Sequence, residues 1–299
     1  MVENTNTTIA IAQKIDKPSP GLYIVSTPIG NLRDITLRAL DVLNTADVIA
    51  CEDTRVTGKL LNAYGIKTPM SSYHEHNAGK MRSGIISQIE SGDVVALVSD
   101  AGTPLISDPG YKLVQECLDK GVLVTATPGA SAILGALSIS GVTTDRFSFG
   151  GFIPQKKKAK QDFLSEWKTV HGTLVFYESA KRLIAGIEGI KDVFGDVSIV
   201  VARELTKKFE EVKRGTASEL LGYYQSQGAP RGEIVLIIQN EGKSQNFSIE
   251  EIDGLIFEAL NEQELHVKDV AVSVALQTGK SKKEIYARVI ELRDADKNE

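Results

Sequence analysis

Three loops rich in glycine and proline, each at the end of a short apolar run, most constrain how this chain folds. Residues 22–25 lead into Ser26-Thr27-Pro28-Ile29-Gly30-Asn31, residues 94–98 into the stretch 99–110, and residues 122–124 into Thr127-Pro128-Gly129-Ala130-Ser131-Ala132. A short unbroken apolar run is the pattern of a strand covered on both faces. Helical patterns fall between the runs. Thr36 is placed to cap a helix that turns Leu37, Leu40 and Leu43 inward. Ile85, Ile86 and Ile89 share one face of a second helix, and Gly121 ends a third over 111–118. Residues 48–51 give a further strand, stopping at Glu52-Asp53. This alternation predicts a mostly parallel sheet, whose ligands bind outside the carboxyl ends of the strands. Glycine admits close approach to main chain and proline stiffens it. The loops therefore predict one wall of a small-molecule site made largely of backbone.

The chain divides into a polar tail over 1–20, read as disordered, an α/β domain over 21–140, a second over 141–242 and a helical extension over 243–299. The pattern breaks into Gly, Phe and Thr near 141–154, which is read as the join. Strands are predicted over 173–177, 197–202 and 233–238, and helices over 180–190 and from Ala217, where Thr216 and Glu219 suit a capping box. Ser248 with Glu251 and Ser281 with Glu284 suit two more. The last three helices read either as a helix-turn-helix-like module or as a cap over the second domain.

With 299 residues and a net charge of -5, the molecule as a whole is not built to grip a polyanion, so a nucleic-acid partner needs a local basic patch. Two separated cysteines, Cys51 and Cys117, fit reduced thiols in a cytoplasmic protein. Residues 121–144 carry no charge and are long enough to span a bilayer. Their Pro-Gly and many hydroxyl residues favour strand, loop and buried helix instead, so no membrane association is expected.

Several chemistries lack their signatures. There is no GxGxxG after the first strand and no GxxxxGK[ST], so a nucleotide phosphate has no standard cradle. No HExxH or Cys/His spacing points to a metal, and no GxSxG elbow is present. A ligand held by carbonyls and amides fits better. S-adenosylmethionine is one: it has a sulfonium cation, an amino acid and an adenosine, but no phosphate.

Seven motifs then occur in order: Thr27-Pro28-Ile29-Gly30-Asn31-Leu32, Glu52-Asp53-Thr54-Arg55, His74-Glu75-His76-Asn77, residues 99–110, residues 127–132, Phe176-Tyr177-Glu178-Ser179 and Arg203-Glu204-Leu205-Thr206-Lys207. Together they closely resemble the tetrapyrrole methylase superfamily. Within it they resemble the branch that 2'-O-methylates a cytidine of small-subunit (16S) ribosomal RNA. The resemblance covers about residues 21–240 and includes the helical tail. It implies two α/β domains, S-adenosylmethionine folded in the cleft between them, and a homodimer. It assigns Pro28, Ile29 and Gly30, then Asp100, Ala101, Gly102, Thr103, Leu105 and Ile106, then Ser131 and Ala132 to the cofactor. Tyr177 and the segment Ala229-Pro230-Arg231-Gly232-Glu233 are expected to close over the adenine. Relatives acting on porphyrin precursors carry Gly-Asp-Pro where this chain has Gly102-Thr103-Pro104, which favours the RNA branch.

Methyl transfer to a ribose 2'-hydroxyl needs a proton acceptor or fixed geometry. Asp53 or His76 is placed to take the proton, and Arg55 to hold a phosphate. An Asp53–Arg55 ion pair and a His76 bond to a carbonyl are the competing readings. For RNA, Lys156, Lys157, Lys158 and Lys160, then Lys207, Lys208, Lys213 and Arg214, then Lys280, Lys282 and Lys283 offer charge. Tyr73, Phe149 and Phe152 offer stacking faces. Alternatives are the same fold acting on a tetrapyrrole precursor, a non-catalytic RNA-binding assembly factor, or a nucleotide-dependent oxidoreductase with Glu52 or Asp53 on a ribose. The missing glycine signature counts against the last.

Overall fold

Val94–Val98 carries no polar side chain, and all five residues are buried. It is the middle strand of a parallel sheet. The computed structural model describes residues 16–228, 230–240, 247–262, 266–278 and 280–296. The first part alternates β1 (Gly21–Val25), α1 (Leu37–Thr45), β2 (Val48–Cys51), α2 (Thr54–Ala63), β3 (Met70–Ser72), α3 (Ala78–Glu90), β4 (Val94–Val98), α4 (Tyr111–Asp119) and β5 (Val124–Thr127). The strand order is β3-β2-β4-β1-β5, every neighbour parallel. Side chains alternate along a strand. Val94, Ala96 and Val98 thus meet Leu40 and Leu43 of α1 on one face. Val95 and Leu97 meet Ile85, Ile86 and Ile89 of α3 and Leu113 of α4 on the other. Thr36 caps α1 by accepting from the Ala39 N–H. Both cysteines are free and buried. β5 starts at Val124, later than its apolar run suggests, because it is a half-covered edge strand.

The second part holds α5 (Ala132–Ser140), β6 (Phe147–Phe152), α6 (Lys157–Trp167), β7 (Gly172–Ser179), α7 (Leu183–Phe194), β8 (Ser198–Arg203), β9 (Glu211–Thr216), α8 (Ala217–Gln227) and β10 (Glu233–Asn240). Its sheet runs β6-β7-β10-β8-β9, with β6 and β7 parallel and the rest antiparallel. Leu164 of α6, Ile187 and Ile190 of α7, and Leu220 of α8 cover one face. Ile133, Ala136 and Leu137 of α5 cover the other, against Val175, Val200, Ala202, Val235 and Ile237. α5 lies before the boundary drawn at residue 140, yet it packs on the second sheet. β6 occupies the stretch read as a join, and α6 and β9 are additions to the elements expected from the residue pattern.

Three helices follow: α9 (Ile249–Glu262), α10 (Val267–Thr278) and α11 (Lys282–Asp296). They pack around a core of their own built on Ile256, Val270, Val274, Ile285 and Val289. The three capping boxes are all formed, at Thr216, Ser248 and Ser281. Among the described residues no helix is long and apolar enough to cross a membrane. The uncharged stretch 121–144 is β5, a loop and α5.

Candidate functional site

Parallel strands bring the ends of β1, β2, β4 and β5 to one edge of the first sheet, and the loops that follow are stitched together there. Thr27 N–H donates to Gly102 O (2.8 Å) and Gly102 N–H to Thr27 O (3.0 Å). Gly102 is left-handed (φ 80°), which this bridge needs. The Ser26 and Thr103 hydroxyls are 3.0 Å apart, and Thr103 also donates to Ala130 O. Gly129 lies so close that a Cβ there would sit 2.8 Å from Ser26 Cβ. Leu105 and Ser107 also hold positive φ (74° and 67°), a cost of order 1–3 kcal/mol each that concentrates at functional loops.

These loops form one wall of a cleft of about 410 Å³, within the roughly 300–1,000 Å³ usual for small ligands. The second sheet supplies the other wall. Ile29, Asp100, Ala101, Gly102, Thr103, Ile106, Ser131, Ala132, Tyr177 and Gly232 line it. Pro28, Gly30, Leu105, Pro230 and Arg231 do not, and Ala229 lies outside the described residues. Gly30 packs under Lys207, and Leu105 turns into the core of the first sheet. The Arg231 carbonyl accepts from Arg203 Nη1.

Asp53, Arg55 and His76 are also outside the lining. Asp53 is the N-cap of α2, accepting from the Arg55 N–H (2.8 Å) and from Arg55 Nε (3.0 Å). The Arg55 guanidinium holds the Asp53 carboxyl down to about 2. His76 is exposed, its ring 6.0 Å from that of His74. The acidic motif reaches the cleft by its neighbours: Glu52 lines it, and the Asp53 N–H donates to Asp100 Oδ1 (3.0 Å).

The lining also includes Glu233, from the segment expected over the adenine, and Phe152, read as an RNA stacking face, together with Ser107, Asp108, Glu178, Ser179, Ala202, Leu205, Ile234 and Val235, which the sequence had not assigned to a site. Glu178 had a signal beside Tyr177, and Asp108 had one within the second loop. Among the described residues the lining contains five carboxylates and no Lys, Arg or His. Glu178 is paired with Arg182 and Glu233 with Lys207. Glu52, Asp100 and Asp108 are in no ion pair among the described residues. Burial raises the pKa of each. The Asp100 and Asp108 charges add to the rise at Glu52, Asp53 at Asp100, and Asp100 at Asp108. Burial, then Asp108 and Glu233, pushes the Tyr177 phenol up to about 12, so it stays neutral.

Residues 21–221 match the family of tetrapyrrole (corrin/porphyrin) methylases. The chain belongs to that family. The methylase is 44% identical over 277 residues to ribosomal RNA small subunit methyltransferase I of Mesorhizobium japonicum, covering 92% of this chain and 93% of that one. It is 42% identical to the protein of that name in Escherichia coli O157:H7 (93% and 98% covered) and 46% identical to that in Bacillus subtilis (75% and 76%). Among solved structures it superposes on diphthine synthase with a TM-score of 0.58 at 14% identity, covering 73% of this chain and 88% of that one. It superposes on uroporphyrin-III C-methyltransferase of Thermus thermophilus complexed with S-adenosyl homocysteine with a TM-score of 0.51 at 18% identity (75% and 97% covered). At these identities the likeness is one of fold.

The methyl donor of this family is S-adenosylmethionine. The methylase's cleft fits such a group. Three carboxylates without cationic partners suit a sulfonium and an ammonium, and Ile29, Ile106, Tyr177 and Leu205 suit the faces of a flat ring. With no basic residue in the lining among the described residues, a phosphate-bearing nucleotide is disfavoured there.

Four of the basic residues read as RNA contacts are engaged within the protein, and Lys280, Lys282 and Lys283 of the tail are exposed. Lys160 is buried, donating to Ala185 O (2.6 Å). Lys207 bonds Glu204 and Glu233. Lys213 lies 3.9 Å over the Tyr223 ring, and Arg214 donates to Ser140 O. Lys156, Lys157, Lys158 and Lys208 are exposed. Of the three aromatics, Tyr73 is buried, Phe149 half-buried and Phe152 exposed.

Proposed function

We propose that this methylase transfers a methyl group from S-adenosylmethionine to the ribose 2'-oxygen of a cytidine in small-subunit ribosomal RNA. The acidic, cation-free cleft between the two sheets carries the donor half of this reading. The substrate half is supported by relatives 41–48% identical that bear the name ribosomal RNA small subunit methyltransferase I. Bound S-adenosylmethionine supplies an electrophilic methyl group on a sulfonium.

The chain's own residues do the rest. Glu52, Asp100 and Asp108 face the donor's positive charge. The backbone from Asp100 to Thr103, braced by Thr27 and Ala130, offers fixed amides and carbonyls. The proton of the 2'-hydroxyl has the same carboxylates as acceptors, since partial desolvation has raised their proton affinity. Asp53 and Arg55 act from outside the lining: they start α2, and the Asp53 N–H fixes Asp100. Leu134 and Ile139 of α5, 55% and 40% exposed, supply apolar surface for a homodimer. The reading places the protein in the cytoplasm with ribosomal particles.

The deciding experiment incubates the protein with methyl-labelled donor and small-subunit particles lacking the modification. Label in a nuclease-resistant 2'-O-methylated dinucleotide is the expected result. Label transferred only to a porphyrin precursor overturns the reading.

A further inference from the structure

β6 contains one residue too many. Phe147, Ser148 and Phe149 register with Thr173, Leu174 and Val175 of β7, but the next partner of Tyr177 is Phe152. Three steps on β6 therefore answer two on β7, which is a bulge, a device that re-aims side chains near active sites. Its two extra-flexible positions are Gly150 and Gly151. Gly151 is left-handed (φ 71°), and a Cβ on Gly150 would lie 2.5 Å from the Phe176 ring. On a regular strand Phe149 and Phe152 would point to opposite faces. With the bulge both rings meet Tyr177, at 4.8 and 5.3 Å between centroids. Phe149 is half-buried, but Phe152 lines the cleft and remains 54% exposed.

The bulge thus presents the exposed face of an aromatic ring to the cleft, a surface on which a flat ligand can stack. The charges nearby say which. Among the described residues the cleft lining holds no cation, as suits a phosphate-free donor. Directly after Phe152, Lys156, Lys157 and Lys158 are exposed at the start of α6. A phosphodiester strand needs such cations and the donor's adenosine does not. We infer that Phe152 is the stacking platform for the base of the nucleotide being methylated, and that Lys156, Lys157 and Lys158 hold its flanking phosphates. Phe152 is a positioning residue: it fixes the ribose by holding the unstacked base.

The inference rests on the RNA reading of the substrate. Phe152→Ala is expected to raise the KM for small-subunit particles about tenfold, the scale of one base–aromatic stack, with donor affinity by calorimetry and the melting temperature unchanged. Phe152→Trp is expected to restore KM, and its added fluorescence, relative to wild type, to be quenched by a cytidine oligonucleotide. Replacing Lys156, Lys157 and Lys158 by Gln is expected to flatten the salt dependence of KM. Weakened donor binding with unaltered KM assigns Phe152 to the adenine and overturns the inference, as does no change in either. A wild-type protein inactive on small-subunit particles defeats the RNA reading itself. The oligonucleotide titration of Phe152→Trp still decides the platform in that case: quenching upholds it, and its absence refutes it.

Discussion

A Cβ on Gly30 would lie 2.4 Å from Lys207 Cγ, so the first loop of one sheet and the β8–β9 loop of the other touch where only glycine fits. Lys207 is not free to move aside, because its ammonium bonds Glu204 (2.9 Å) and Glu233 (2.8 Å). The Asn31 N–H donates to Thr206 Oγ1 (3.1 Å) in the same seam. Glu204 and Thr206 hold positive φ there (50° and 65°). The seam sets the separation of the cleft's two walls.

Gly30→Ala therefore forces the seam open. It is expected to cost about 1–3 kcal/mol, the scale of overpacking, in denaturant unfolding, and to weaken donor binding. Adding Lys207→Ala should return part of the loss, so a double-mutant cycle with no coupling counts against this contact.

The pH dependence follows from Glu52, Asp100 and Asp108. Their folded pKa values lie above ordinary carboxylate values, with burial the largest cause. The folded, ligand-free protein thus holds protons that the unfolded chain has released. The stability linked to these groups is full below the ordinary carboxylate range and is lost as pH rises through the raised values. A cationic donor favours the ionised forms, so its binding releases protons, and its affinity rises with pH across the same window. Calorimetry in buffers of different ionisation heat measures that release. Asp108→Asn should reduce it.

Arg182 Nη2 lies 2.8 Å from Glu178 Oε1, whose side chain is only 1% exposed. Arg182→Met leaves a buried carboxylate without its cation and is expected to cost about 3 kcal/mol in denaturant unfolding. Arg182→Met with Glu178→Gln should recover much of it.

Asp53, held down to about 2 by Arg55, has little proton affinity at neutral pH. Asp53→Asn keeps an N-cap acceptor and is expected to leave the acid limb of the pH–rate profile in place. Asp53→Ala should cost about 1 kcal/mol of stability through loss of the cap.

The helices α9, α10 and α11 have their own core. A chain ending at Asn240 is expected to keep the donor affinity and unfolding midpoint of the full chain, by calorimetry and thermal melting.

What could be read from the sequence was local. β4 announced itself because five apolar residues in a row are the pattern of a strand covered on both faces. Thr216, Ser248 and Ser281 announced helix starts because a capping box spans only four residues. What escaped depends on distant chain. β9 is an edge strand carrying Glu211, Lys213 and Arg214, so it lacks an apolar signal. The Gly150-Gly151 bulge reads as a break until Phe176 is seen beneath it. The helix α5 is apolar enough for either sheet, and only packing decides. The candidate site divides in the same way. Its glycine loops were legible, whereas Glu52 beside Asp100, and Leu205 from the far wall, come together only through the fold.

β10, the last strand among the described residues, lies between β7 and β8 and pairs with both. During translation the first sheet is complete once Thr127 has emerged. β7 and β8 must wait, edges bare, until all of β9 and α8 have been made. Donor capture is therefore among the last abilities a nascent chain acquires, and a product released before Glu233 presents two unpaired edges open to sticking to its neighbours.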